Sequence, residues 1–275
     1  MKIYNAVGSA EIVAEYHKKT KKKLNILVAY PYLKGSAYKL TKEYRGMIES
    51  LYLDSGAYSV SKGKIKLSVS EYGRYIARYG KLFDEVFNLD DDFFDPMHNL
   101  TNQTYLEKLL PKDAKKPIPV IHDAEDPFEE FKGYVDQGHK YIAVGSSESI
   151  SEEVYSEIKK NFPRVKIHMF GKLNRKMLTN YKPYSADAST WATAAGLGRF
   201  YYWDPEDKEE YLIVMNSEEK DSGKNRNYST FHHKAGLDRF LKDTFGYDHI
   251  QLVDGCQARM IVNLHFFKQL EEILN

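Results

Sequence analysis

Residues 118–146 read IPVIHDAEDPFEEFKGYVDQGHKYIAVGS, three segments with two different rhythms. IPVIHD (118–123) and KYIAVGS (140–146) are short apolar runs of β-type residues. Between them, DPFEEFKGYVDQG (126–138) carries apolar residues at helical spacing, and Gly138 after Gln137 marks a helix stop. A parallel neighbour cannot be reached through a tight turn, so strand–helix–strand implies parallel pairing through a right-handed crossover.

The same alternation extends in both directions. β-like runs occur at LNILVAY (24–30), SLYLDSG (50–56), EVFNLDDD (85–92), VKIHMFG (165–171) and PYSADAS (183–189). Helical stretches lie between them: SVSEYGRYIARYGKLF (68–83), with Tyr72, Tyr75, Ile76, Tyr79 and Phe83 on one face, NQTYLEKLL (102–110), SEEVYSEIKKNF (151–162) starting at Ser151, and NRKMLTNY (174–181). Strand ends fall at Asp54, Asp90, His122, Gly145, Phe170 and Asp187, at intervals of 36, 32, 23, 25 and 17 residues. All but the last leave ample room for a crossover. A (β/α)8 barrel needs about 250 residues, and the chain has 275. The rival doubly wound sheet lacks its Gly-rich phosphate turn. The expected fold is therefore α/β, a TIM-like barrel forming a single domain over residues 1–275. RFYYWD (199–204) and EYLIVMN (210–216) read as a hairpin, and SEEKDSGKNRNYSTFHHK (217–234) as a mobile loop, making an insertion at about 204–234. Terminal helices follow at 235–246 and 256–274, the latter with Leu264, Phe267, Leu270, Ile273 and Leu274 on its packing face.

Composition excludes several classes. Lys and Arg total 40 against 39 Asp and Glu, a net charge of +1, which rules out holding nucleic acid by bulk charge but leaves room for a local basic face. Lys18, Lys19, Lys21, Lys22 and Lys23 form the one dense basic run. No apolar run approaches the roughly 18 residues of a membrane span, and the N-terminus lacks a signal-peptide core. A single cysteine, Cys256, allows no intrachain disulfide and no cysteine-rich zinc site. His232 and His233 with Cys256 lack the paired spacing of zinc ligands, so no metal or cofactor is expected. A cytoplasmic protein is the simplest expectation.

In a parallel barrel the catalytic groups sit at the carboxyl ends of the strands, where the following loops converge. Three expected strands end in carboxylates: Asp54 in YLDSGAYS, Asp90 in FNLDDDFF and Asp187 in YSADASTW; a fourth ends in His122. A lone strand-end aspartate usually caps a helix or starts a loop. Three on one rim shift the balance toward a shared site, since an apolar run that stops in Asp is expensive unless the carboxylate is solvated, caps a helix or belongs to a site. Aromatic residues near the same ends, among them Tyr58, Trp191 and Tyr201, have the shape to stack on a base.

These segments resemble, in order, the tRNA-guanine transglycosylase superfamily of (β/α)8 barrels. LDSGAYS (53–59) is similar to its Asp-Ser-Gly-Gly-aromatic stretch, and NLDD (88–91) to the strand ending in the base-recognising aspartate. PVIHD (119–123) stands where the family reads the base with a glutamine, YIAVGS (141–146) resembles its Leu-Ala-Val-Gly strand end, and SADAST (185–190) lies where its nucleophilic aspartate occurs. The likeness spans roughly residues 50–190. It departs at Ala57 and His122, and one cysteine cannot build the three-cysteine, one-histidine zinc site of the tRNA-acting members. A compact, zinc-free chain looks like the phage and bacterial branch that replaces guanine in DNA with a 7-deazaguanine such as preQ0 or preQ1, which for a phage protein implies the host cytoplasm.

The resemblance implies roles for particular residues. Asp187 would attack C1′ of the target nucleoside, and Asp54 would handle the proton of the heterocycle. Asp90 would read the N1–H and 2-amino edge, with Ser55 beside it. His122 and the backbone of Ile142, Ala143 and Gly145 would meet the O6 side, and Tyr58 would stack on the ring. The target nucleotide must leave the duplex to reach such a pocket. Lys21, Lys22 and Lys23, with Lys224 and Arg226 of the insertion, would track phosphates. The alternatives are a queuine-type transglycosylase acting on tRNA, a barrel hydrolase of nucleosides or glycosides, and a non-catalytic nucleic-acid-binding barrel. A homodimer is left open.

Overall fold

Eight parallel strands form one sheet: β1 (Lys2–Ala6), β2 (Leu24–Ala29), β3 (Ile48–Asp54), β4 (Glu85–Val86), β5 (Val120–Ile121), β6 (Tyr141–Val144), β7 (Lys166–Met169) and β8 (Ser185–Ala188). The computed structural model describes residues 1–33, 36–122, 125–145, 152–171, 175–216 and 218–275. Spatial order is β4-β3-β2-β1-β8-β7-β6-β5, and a parallel bridge between Phe87 and Ile118 joins the two ends. There Ile118 N donates to Val86 O (2.8 Å) and Asn88 N to Ile118 O (2.9 Å), closing the ring. The expected TIM-like barrel is present.

Seven of the eight strands coincide with the β-like runs; β1 is the addition. KIYNA is five residues long and carries Asn5 in its middle, so its apolar rhythm is too brief to stand out. It becomes a strand because β2 and β8 flank it and bond both of its edges. The expected strand at 85–92 shrinks to Glu85–Val86 and the Phe87 bridge. Beyond Phe87 the backbone turns to side chains of α4 (Pro96–Leu109) for its partners: Asn99 Nδ2 donates to Asp92 O (2.6 Å) and Asn102 Nδ2 to Leu89 O (2.9 Å).

Alternation along each strand places every second side chain inside the ring. The interior is packed by Tyr4, Leu27, Tyr52, Phe87, Ile118, Val120 and Ala143, with Tyr4 and Tyr52 stacked at 3.9 Å and His168 4.9 Å from Phe87. Aromatic rings thus fill the barrel, and the next inward positions toward the carboxyl ends form its mouth. Around the strands lie α2 (Ala57–Ser61), α3 (Val69–Tyr79), α4, α5 (Pro127–Asp136), α6 (Glu152–Asn161) and α7 (Arg175–Tyr181). Their ends follow local rules: Ser68 caps α3 by accepting from Glu71 N (3.2 Å), Asp126 caps α5, and Gly138 takes a left-handed φ of 89° just after it. Ser151, expected to start α6, lies outside the described residues.

The barrel unit comprises Met1–Gly8 and Asn25–Ala188, with Leu274; a second unit comprises Ser9–Leu24 and Ser189–Ile273, with Asn275. In that second unit β9 (Arg199–Asp204) and β10 (Glu209–Val214) form the expected antiparallel hairpin. The polar stretch after it is not simply a loop: Asn225–Asn227 adds β11 alongside β10, and the buried Asn227 donates to Asn216 O (2.8 Å) and Glu219 O (2.9 Å). These bonds give a polar segment a fixed place that hydropathy does not reveal. The unit is completed by α1 (Ala10–Thr20), α8 (Thr190–Gly196), α9 (Lys234–Phe245), α10 (His249–Asp254) and α11 (Cys256–Leu274). Leu264, Phe267 and Leu270 of α11 are buried as expected, whereas Ile273, in the last turn, is 47% exposed.

Candidate active site at the barrel mouth

Asp54 is the last residue of β3, and the chain turns sharply after it. Gly56 adopts φ +84°, and a Cβ there would lie 2.6 Å from Pro31 Cδ, so this turn requires glycine. Gly56 N donates back to Asp54 Oδ2 (3.2 Å), and Ser55 Oγ accepts from Ala57 N (3.3 Å) at the start of α2. Asp187 occupies the inward position of β8. It accepts from Gly171 N (3.1 Å) and lies 3.3 Å from His168 Nε2. The other nitrogen of His168 is 2.7 Å from Ser185 Oγ, which in turn meets Tyr141 OH at 2.6 Å. A buried chain of polar groups therefore sets the orientation of the histidine beneath Asp187.

Asp90 and His122 form the third element. His122 Nε2 and Asp90 Oδ2 are 2.6 Å apart and almost fully buried, and Ser55 Oγ approaches Asp90 Oδ1 at 3.4 Å. Phe93 stacks on the imidazole at 4.2 Å, and His122 N donates to Glu130 Oε2 (2.9 Å). On the opposite side the ring presses against Gly145, where a Cβ would stand 2.2 Å from both Cε1 and Nδ1. The glycine that follows β6 is thus the space the imidazole needs.

The three acids act on one another electrostatically. Asp54 keeps partial solvent contact at its surface, yet its carboxyl is pushed up to about 8, first by burial and then by the charges of Asp90 and Asp187. Tyr72, whose hydroxyl donates to Phe87 O (2.9 Å), is raised well above the usual phenol range by burial and by Asp54 and Asp90. One carboxyl that keeps its proton near neutral pH, beside others supplied with hydrogen-bond donors, is the division of labour expected of an acid and a nucleophile.

The fold gathers Asp54, Ser55, Asp90, His122, Gly145 and Asp187 at the mouth. Tyr58 is 59% exposed, with Lys62 Nζ 5.7 Å from its ring centre. Ile142 and Ala143 are buried in β6; Ala143 N donates to Pro119 O (2.8 Å) and Gly145 N to Ile121 O (3.0 Å), which commits both amides to the sheet. Lys21 ends α1 in a left-handed conformation, Lys22 pairs with Glu272 at 2.8 Å, and Lys23 is exposed. Lys224 pairs with Glu210 (2.8 Å), while Arg226 donates to Gly223 O (2.7 Å) and lies 5.0 Å from the Tyr211 ring centre. The sequence does not single out His168. The signal for it was strand parity, since His168 stands two residues before the strand-end Phe170 and shares its inward face. Phe93 and the asparagines of α4 had no such signal.

Among the described residues the mouth forms no three-ligand metal cluster of acids and histidines, and no helix is long and apolar enough to cross a membrane. Fold and site together define a (β/α)8 barrel with a carboxylate-lined mouth. Neither a protein family nor a curated protein matches the chain. Among solved structures it is similar to a candidate fructose-1,6-bisphosphate aldolase from Coccidioides immitis, with a TM-score of 0.55 and 13% identity, over 98% of this chain and 89% of that one. At that identity the likeness concerns the fold.

Proposed function

We propose that the chain is a base-exchange glycosyltransferase that replaces guanine in DNA with a 7-deazaguanine. The observation that carries this reading is the Asp54 carboxyl, held near 8 beside Asp90 and Asp187. Base exchange at an unbroken strand needs two displacements at one C1′, as in retaining glycosidases, and so one nucleophilic carboxylate and one proton carrier. Asp187 forms the bond to C1′ as the bond from C1′ to the ring nitrogen of guanine breaks. Asp54 gives its proton to the departing ring and takes one from the incoming base. Asp90 offers its carboxylate to the N1–H and 2-amino donors. His122 holds that carboxylate in place through Nε2 (2.6 Å). The choice of DNA over tRNA rests on the family resemblance and the missing cysteines, with exposed Lys21 and Lys23 as phosphate contacts.

The test offers the protein DNA and tRNA, each with labelled guanine, together with a 7-deazaguanine, and looks for label release and a covalent adduct on denaturing gels. Exchange in DNA, with an adduct lost in Asp187→Ala, is the expected result; an adduct that survives Asp187→Ala overturns the nucleophile. Asp90→Ala should lose discrimination of guanine from adenine. Exchange in tRNA alone moves the substrate to tRNA. Base release with no incoming heterocycle makes the enzyme a hydrolase, and nucleic-acid binding without turnover makes it a non-catalytic barrel.

A further inference from the structure

Far along the chain from the mouth residues, the second unit holds a different cluster. Asp207, His232 and His233 present ligand atoms that all lie within 4.8 Å of one another. Asp207 Oδ2 is 2.6 Å from His232 Nε2 and 3.9 Å from His233 Nδ1, and Asp204 Oδ2 is 2.9 Å from the same His233 nitrogen. Donors on a tetrahedral zinc ion stand about 3.3 Å apart, and the distances from Asp207 Oδ2 to the two histidines, 2.6 and 3.9 Å, lie on either side of that spacing. Neither Asp204 nor Cys256 is part of the group.

The surroundings are those of a ligand set held from behind. Asp204 is wholly buried, and its second oxygen accepts the amides of Glu206 (2.8 Å) and Asp207 (3.1 Å), which folds the turn between β9 and β10 around the carboxylate. Tyr211 OH donates to Asp207 Oδ2 at 2.6 Å. Glu206 Oε2 stands 3.5 Å from His233 Nε2, the ring nitrogen facing away from the other donors. A carboxylate behind the outer nitrogen of a ligating histidine is the usual means of setting its tautomer and orientation. The rings of Phe231 and Tyr211 pack against His232 at 4.8 and 5.9 Å, giving the polar cluster an apolar wall. A solvated ion pair needs none of this support.

We propose that His232 Nε2, His233 Nδ1 and Asp207 Oδ2 bind one divalent transition-metal ion, zinc by their nitrogen and oxygen character, with solvent as the fourth ligand and Asp204 fixing the turn behind them. The ion replaces the protons shared between the rings and carboxylates, and it ties the β9–β10 turn to the start of α9.

The test uses the full chain stripped with a chelator, dialysed and titrated with Zn²⁺ alone, then with Co²⁺ as a spectroscopic probe. One equivalent of zinc should bind and raise the melting temperature, and Co²⁺ should show the visible absorption of a four-coordinate site. His232→Ala should weaken zinc at least about ten-fold. Asp207→Asn, nearly the same shape, does likewise and serves if the alanine variant fails to fold. Cys256→Ser should bind zinc unchanged. Failure to bind a stoichiometric equivalent, or binding that survives both His232→Ala and Asp207→Asn, overturns the site and leaves only histidine–aspartate pairs. Loss of zinc in Cys256→Ser overturns the proposed ligand set.

Discussion

Two aspartates in this chain, Asp54 at the barrel mouth and Asp207 in the hairpin turn, are pushed in opposite directions. Burial and the charges of Asp90 and Asp187 raise the Asp54 carboxyl to about 8. Hydrogen bonds from Tyr211 and then His232 hold the Asp207 carboxyl below the usual carboxylate range. Both regions combine aspartate with histidine, so residue type does not set the chemistry. At the mouth, depth and like charge make a carboxyl that keeps its proton and can donate it. In the turn, donors and open solvent favour a carboxylate that stays charged and suits a cation.

The contrast breaks most sharply at Asp187. Asp187→Ala should lower base exchange by roughly 10⁴-fold or more in a single-turnover assay, the scale seen when a covalent nucleophile is removed. An equal loss on changing Asp207 would mean that the two regions share one chemistry. Asp54→Asn should cost about 10²–10⁴-fold. It should also erase the fall in rate above pH about 8 that deprotonation of Asp54 imposes on the wild type, as read from a pH–rate profile.

The same variant sharpens the comparison through stability. Below its ordinary value of 3.8, Asp54 is protonated in both folded and unfolded chains. Between there and about 8 the unfolded chain releases a proton that the folded chain keeps. Stability therefore falls as pH rises through this window and levels off beyond it. Thermal melts across the window should show Asp54→Asn gaining on the wild type as pH climbs.

Gly145→Ala should follow in size. Its Cβ would meet the His122 ring at 2.2 Å, with Ile121 O at 3.0 Å; overpacking of this kind costs about 1–3 kcal/mol. Denaturant unfolding measures that cost, and the displaced imidazole should weaken exchange as well. The smallest effect belongs to Lys22→Ala, which breaks only the exposed pair with Glu272. Its melting temperature should stay within about two degrees of the wild type.

Much of the barrel was legible because seven strands carry their own apolar rhythm and strand-end residues mark the rim. Residues of the site were legible for the same reason: Asp54, His122 and Asp187 stand at ends of runs that hydrophobicity announces. The partners were not. His168 meets Asp187 through inward parity on a neighbouring strand, and Phe93 covers His122 from a loop. Asn99 and Asn102 replace the missing ladder after β4. Each of these depends on what another segment brings to it. In the second unit, His232 and His233 looked unpaired along the chain because Asp207 and Asp204 lie across the hairpin from them.

Local pattern alone, then, determined the alternation of strand and helix, their parallel pairing and the rim positions of the acids, because periodicity and connection length are properties of short segments. Tertiary structure decided the rest: that β1 joins β2 to β8 and the Phe87–Ile118 bridge closes the ring, that Asp54 lies within the fields of Asp90 and Asp187, and that Gly145 makes room for His122. Burial and Coulomb interaction act through space, and residues remote along the chain become neighbours only when the barrel forms.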